Sequence, residues 1–291
     1  MNLTIHQVFS LIMTIYKYPI LFSIILILSI ILIGKIPFET YFEITNDSKK
    51  IILNIIIILS IFLLIFSKYI PSKLSFSLNY KKSAYYFPLI LYVYIFSGGF
   101  KDFFKMDFNE ISNIKIYTYS LKILLSAFFE ELLFRGLILG IILYKYINSN
   151  YGIVKSVFIT SLIFGFTHII NIWSSEMTTQ GVYNQIYATF SLGFLFAAVY
   201  LKTKNIYILI IIHSAINFFS SIENLNGITE VSNTIVNIDK TWIELIISEI
   251  IRLIIFGIPL LIGLFILKSI SKQEIYSLFK YTVHNRVDVS E

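Results

Sequence analysis

The sequence predicts an all-α, polytopic membrane protein, a single transmembrane domain over residues 1–291 built as a bundle of about eight helices. Three observations carry that prediction. Apolar residues make up 57% of the chain and charged residues only 14%, with a mean hydropathy of +0.80, whereas a soluble domain carries about 25% charged residues. The apolar residues fall in continuous blocks near the roughly 20 residues that cross a bilayer as a helix, not in the short alternating strands of a closed barrel. No polar stretch between the blocks is long enough to fold by itself.

The blocks run, in order, from Pro19 to Gly34, Ile51 to Ile70, Ala84 to Gly99, Ile116 to Tyr144, Ile153 to Trp173, Tyr183 to Leu201, Ile206 to Ser221 and Trp242 to Leu267. The first follows Lys17 and precedes no small-residue cleavage site, so it is expected to be a retained span and not a signal peptide. Gly98 and Gly99 mark a helix end or kink at the close of the third. The connecting segments are short, and the longest, residues 222–241, is rich in Asn, Thr and Ser. Eight spans place both termini on one side. Loop lysines and arginines are more numerous on that side, which predicts cytoplasmic termini in a cell membrane. The net charge of +6 is therefore assigned to topology, with the lipid bilayer as partner and no nucleic acid. The chain has no cysteine, which excludes disulfides, thiolate catalysis and Cys-ligated metals. It carries no phosphate loop, nucleotide fingerprint or internal repeat.

The fourth block contains SAFFEELLFRG, Ser126 to Gly136, with three charges inside an apolar run. Residues four apart share a helix face and neighbours are rotated by about 100°. Glu131 therefore meets Arg135 one turn on, and Glu130 points elsewhere. A paired Glu131 and Arg135 is explained by helix orientation alone. An unpaired carboxylate in a bilayer costs about 3 kcal/mol or more, so Glu130 is expected to face a polar cavity, where desolvation suits it to general-base work. Other spans supply companions. The fifth carries FGFTH, with Phe164 and His168 on one face and Gly165 admitting a neighbour. The seventh carries HSAIN, with His213 and Asn217 four apart. The remaining histidines, His6 and His284, lie in terminal segments without such partners. Singly, an intramembrane histidine serves helix association as readily as chemistry; three such clusters on three spans form a candidate site, with a motif-bearing core at about residues 116–221.

EELLFR, FGFTH and HSAIN, in this order on separate spans, resemble the EExxxR, FxxxH and HxxxN motifs of the CAAX-protease and bacteriocin-processing (Abi) family of eight-helix intramembrane endopeptidases. The resemblance implies that Glu130 activates a water with help from His168. It further implies that His213 and Asn217 stabilise the oxyanion of the tetrahedral intermediate, and that Glu131 and Arg135 brace the site. The substrate implied is a peptide or membrane protein. No cofactor is favoured. A zinc-dependent version stands as the alternative, with Glu130, His168 and His213 as the ligand set, although HExxH is absent and Asn217 fits an oxyanion hole better.

Other features have plainer readings. Glu249 and Arg252 in the last block form an i,i+3 ion pair that lowers insertion cost. Ser126 shares a face with Glu130 and is read as a small packing residue. Gly136 and Gly140 also serve packing, and the tyrosines and Trp173 near span ends are interfacial anchors. Two rivals from other classes are a non-enzymatic immunity or regulatory scaffold and a transporter with a Glu130–histidine proton relay; the second lacks the repeated halves common in transporters.

Overall fold

The computed structural model describes residues 15–34, 53, 56–57, 80–96, 99–108, 111–173, 178–226 and 242–278. Almost all of the second expected span, together with His6, Gly98 and His284, lies outside the described residues. All regular structure among the described residues is helical. In chain order the elements are α1 (Pro19–Gly34), a 3-10 turn (Tyr80–Tyr86) leading into α2 (Phe87–Phe96), α3 (Phe100–Phe103), and α4 (Asn113–Glu131), which continues through a π-helical stretch (Leu132–Ile138) into α5 (Leu139–Tyr146). Then follow α6 (Gly152–Thr167) with a 3-10 extension (His168–Trp173), α7 (Thr179–Thr203), α8 (Ile206–Ser220), α9 (Glu223–Asn226), α10 (Trp242–Lys268) and α11 (Lys272–Leu278).

Local sequence sets these boundaries. Ser112, Thr178 and Asn205 cap α4, α7 and α8, their side-chain oxygens accepting from Lys115, Gly181, and Tyr207 with Ile208 respectively. Tyr151 and Lys204, at φ 56° and 62°, make the reversals before α6 and after α7.

Among the described residues, three helices are long and apolar enough to cross a membrane: α6 with its extension, α7 and α10. The eight expected spans are not matched one for one, for local reasons. The third block divides into a 3-10 turn and a ten-residue helix that ends before Gly99. The fourth interrupts its apolar run with Glu130, Glu131 and Arg135. The seventh block gives a helix of 15 residues.

The core is organised around α7, which packs against α6 on one side and α10 on the other, while α8 lies on α4 and α5 on α6. From Ser191 to Leu201 every residue of α7 is buried, as expected of a helix apolar all round. Gly165 permits the α6 contact: a Cβ there would stand 2.9 Å from the Phe190 Cβ and 3.0 Å from the Ile186 carbonyl oxygen, both on α7. Pro259 disturbs the hydrogen-bond ladder of α10 one turn earlier. The Ser191 hydroxyl on α7 donates to the Phe256 carbonyl, three residues before Pro259, and ties the two helices there.

The end of the bundle that holds α11 is tied by lysines donating to terminal carbonyls: Lys82 to Lys202 at 2.7 Å and Lys202 to Ser269 at 2.9 Å. Helix α11 docks there through buried Ile275 and Leu278, with Tyr276 donating to Asn148 at 2.6 Å and Lys204 to Ser277 at 2.7 Å. Its start is a reciprocal capping box. The Ser271 N–H donates to Glu274 Oε2 at 2.9 Å and the Glu274 N–H to Ser271 Oγ at 3.2 Å. That backbone hydrogen bond, with a smaller contribution from the Lys202 ammonium, holds the Glu274 carboxyl below its ordinary value of 4.5. A depressed carboxylate contributes stability that is complete above its unfolded pKa and lost as pH falls through the folded one. Docking of α11, followed by protease protection of the C-terminal segment in detergent, is therefore expected to persist above about pH 4.5 and to weaken on further acidification. In Glu274→Gln, protection should be weaker at neutral pH and lose most of this pH dependence.

Candidate active site

The charged run of the fourth block lies where α4 widens into its π-helical stretch. Glu131 is the last residue of α4, and Leu132–Ile138, including Arg135, is buried throughout. Such widened turns inside α-helices are frequent at functional sites. The i,i+4 pairing expected from the sequence holds despite the widening, with Arg135 Nη1 2.9 Å from Glu131 Oε1 and neither side chain more than 2% exposed. The Arg135 guanidinium also lies over two rings, Phe164 of α6 at 4.7 Å and Phe196 of α7 at 5.3 Å, and Nη2 donates to the Gly193 carbonyl of α7 at 3.4 Å. Cation–π contacts of this kind gain strength when desolvated.

Glu131 has a second partner. His213 Nδ1 donates to the same Oε1 at 2.7 Å. This is a charge-assisted length, and it leaves Nε2 as the other nitrogen of the ring, 3.7 Å from Glu130 Oε2. Glu130 is the more open carboxylate, with its side chain 25% exposed against 0% for Glu131. The division between a paired and a freer glutamate thus matches the helix-face argument. Ser126, expected to serve packing, does more: its hydroxyl donates to Glu130 Oε1 at 3.4 Å. A continuous polar chain, Arg135–Glu131–His213–Glu130–Ser126, therefore joins α4 to α8.

His168 stands at the end of α6, where the helix tightens. Its N–H bonds to the Gly165 and Phe166 carbonyls in place of the i−4 partner. The Phe164 carbonyl is thereby released to side chains, accepting from His168 Nδ1 at 3.0 Å and Thr167 Oγ1 at 2.6 Å. Because a carbonyl only accepts, Nδ1 carries the proton and the neutral ring has its lone pair on Nε2. The His168 ring packs edge-on against Phe164, with centroids 5.2 Å apart, and Phe164 in turn meets the His213 ring at 6.3 Å. No hydrogen bond or ion pair joins His168 to Glu130 among the described residues. Asn217 lies one turn beyond His213 on α8. Its backbone carbonyl accepts from Ser221 Oγ at 2.6 Å, and its side-chain amide has no hydrogen-bond partner among the described residues.

Among the described residues, no three His, Asp or Glu side chains are grouped closely enough to hold a metal ion; Glu130, His168 and His213 do not form such a set in this arrangement. Sequence reasoning missed Gly193 and Phe196. They lie in an apolar block with no charge or histidine to single them out, and their contact with Arg135 depends on how α7 packs.

This buried carboxylate–imidazole chain sits in one continuous segment with a recognised relation. Residues 112–219 match the family model Rce1-like, type II CAAX prenyl endopeptidase Rce1-like. The Rce1-like segment covers a little over a third of the chain and contains Glu130, Glu131, Arg135, His168, His213 and Asn217, in agreement with the resemblance carried by the three motifs. It supports endopeptidase chemistry in a membrane setting. No curated protein and no solved structure matches the chain.

Removing one member of a buried ion pair leaves the other charge uncompensated, which costs about 3–5 kcal/mol. Arg135→Met is accordingly expected to lower the unfolding midpoint in detergent sharply. The double variant Glu131→Gln/Arg135→Met should recover part of that loss, because it strands no charge; equal losses in the two variants would contradict the pairing.

Proposed function

We propose that the protein is an intramembrane endopeptidase of the CAAX-protease type that hydrolyses a peptide bond with a water activated by Glu130. The observation that carries this reading is the pair of unlike glutamates. Glu131 is fully buried and shared by Arg135 and His213, while Glu130 is partly open with only the longer contacts to Ser126 and His213. Adjacent carboxylates in such different surroundings suit different tasks, one structural and one chemical.

In the proposed reaction Glu130 takes a proton from water as the oxygen attacks the substrate carbonyl carbon. His168, whose lone pair is on Nε2, helps to orient that water. The carbonyl oxygen becomes an oxyanion stabilised by His213 Nε2–H and the Asn217 amide. On collapse the C–N bond breaks, and the proton held by Glu130 passes to the departing amine. With its Nδ1–H on Glu131, His213 donates from Nε2 as the imidazolium.

The proposal includes a bundle of eight spans with both termini cytoplasmic, a peptide or membrane-protein substrate, and catalysis without a metal ion. Glu130→Gln is expected to abolish cleavage of a fluorogenic peptide ending in a prenylated CAAX sequence, with the unfolding midpoint nearly unchanged because the carboxylate makes only long contacts. Full activity in that variant would remove Glu130 from the mechanism. Cleavage by the wild type should also survive exhaustive chelation, whereas loss on chelation and recovery with added zinc would replace the water-activation scheme by a metal-dependent one.

A further inference from the structure

The three motifs lie on α4, α6 and α8 and their direct continuations, yet α7, buried without a break from Ser191 to Leu201, carries none of them. Its contribution is made at Gly193. The Gly193 carbonyl accepts from Arg135 Nη2 at 3.4 Å. Its missing side chain matters as much: a Cβ at this position would stand 2.8 Å from Phe164 Cδ1 and 3.7 Å from Arg135 Nη2. The first distance is too short for a real contact, so the Phe164 ring occupies space that only glycine leaves open.

Phe164 has little freedom to yield. Its ring is met by Phe134 at 4.7 Å and by the Arg135 guanidinium at 4.7 Å. The same residue touches both histidines, His168 through its ring at 5.2 Å and its carbonyl at 3.0 Å, and His213 ring to ring at 6.3 Å. Phe164 is therefore the physical link between the His168 side of the site and the Arg135–Glu131–His213 side.

We infer that Gly193 of α7 is a positioning residue, whose open Cβ position and carbonyl seat Phe164 and Arg135 and so fix His168 and His213 relative to one another. The catalytic consequence rests on the protease reading above; the structural consequence does not. On helix propensity alone, replacing an interior glycine by alanine stabilises a helix. Gly257 of α10, where an added Cβ meets nothing within 4 Å, is the internal control for that expectation.

The test compares Gly193→Ala, Gly257→Ala and Phe164→Leu in full-length protein carrying isotope-labelled histidine, with the His168 and His213 imidazole signals assigned by single replacement. Gly193→Ala is expected to shift both sets of signals, and Gly257→Ala neither. Cleavage of the prenylated CAAX peptide should fall in kcat by about 100-fold, the scale of a misplacement near 1 Å, at nearly constant KM. Unchanged imidazole signals in a folded Gly193→Ala protein would overturn the inference. Should Gly193→Ala fail to fold, Phe164→Leu decides: displaced signals from both histidines support the link, and unchanged signals refute it. If the wild type cleaves nothing and the signals still move as expected, the positioning role stands and the protease reading fails.

Discussion

One oxygen atom organises this molecule. Glu131 Oε1 is ion-paired with Arg135 Nη1 of its own helix at 2.9 Å and accepts from His213 Nδ1 of α8 at 2.7 Å, in a fully buried setting. Desolvating an ion costs several kcal/mol after relaxation, so such a cluster persists only where its geometry is closely met. Here the carboxylate oxygen is shared by two cationic or donor groups, and the guanidinium rests on two aromatic faces and a backbone carbonyl. Helices α4, α6, α7 and α8 each contribute to that single constellation. Apolar packing in a membrane favours association without strongly choosing among rotations of one helix against another; a polar contact of defined length chooses.

The same constraint shapes the chemistry. Each imidazole is fixed by its Nδ1, His213 on a carboxylate and His168 on the Phe164 carbonyl. In both rings Nε2 is consequently the nitrogen left free of these contacts. On the proposed reading, these two nitrogens and the partly open Glu130 are the groups that would orient the water and stabilise the oxyanion.

Helix α7 shows why the core and the site cannot be considered apart. It supplies no charged group to the site, yet its buried run from Ser191 to Leu201 includes the Gly193 carbonyl and the Phe196 ring that hold Arg135. It also bonds to the α10 backbone near Pro259 through Ser191. The packing that positions the charges is the packing that stabilises the bundle.

Much of this was legible in the sequence because helical periodicity and the cost of burying charge are local rules. The helical class, the Glu131–Arg135 pair, the less engaged Glu130, the close approach at Gly165, the Glu249–Arg252 pair and the end of α2 before Gly99 all follow from residue type and spacing. What a single sequence does not encode locally is which face of one helix meets which face of another. That Glu131 is shared with His213 and that a featureless stretch of α7 seats Arg135 are products of tertiary packing. They depend on contacts between residues 58 to 82 positions apart. The sequence alone determined which charges must be buried and paired; the tertiary structure decided with whom, because pairing across helices is set by how apolar surfaces interlock.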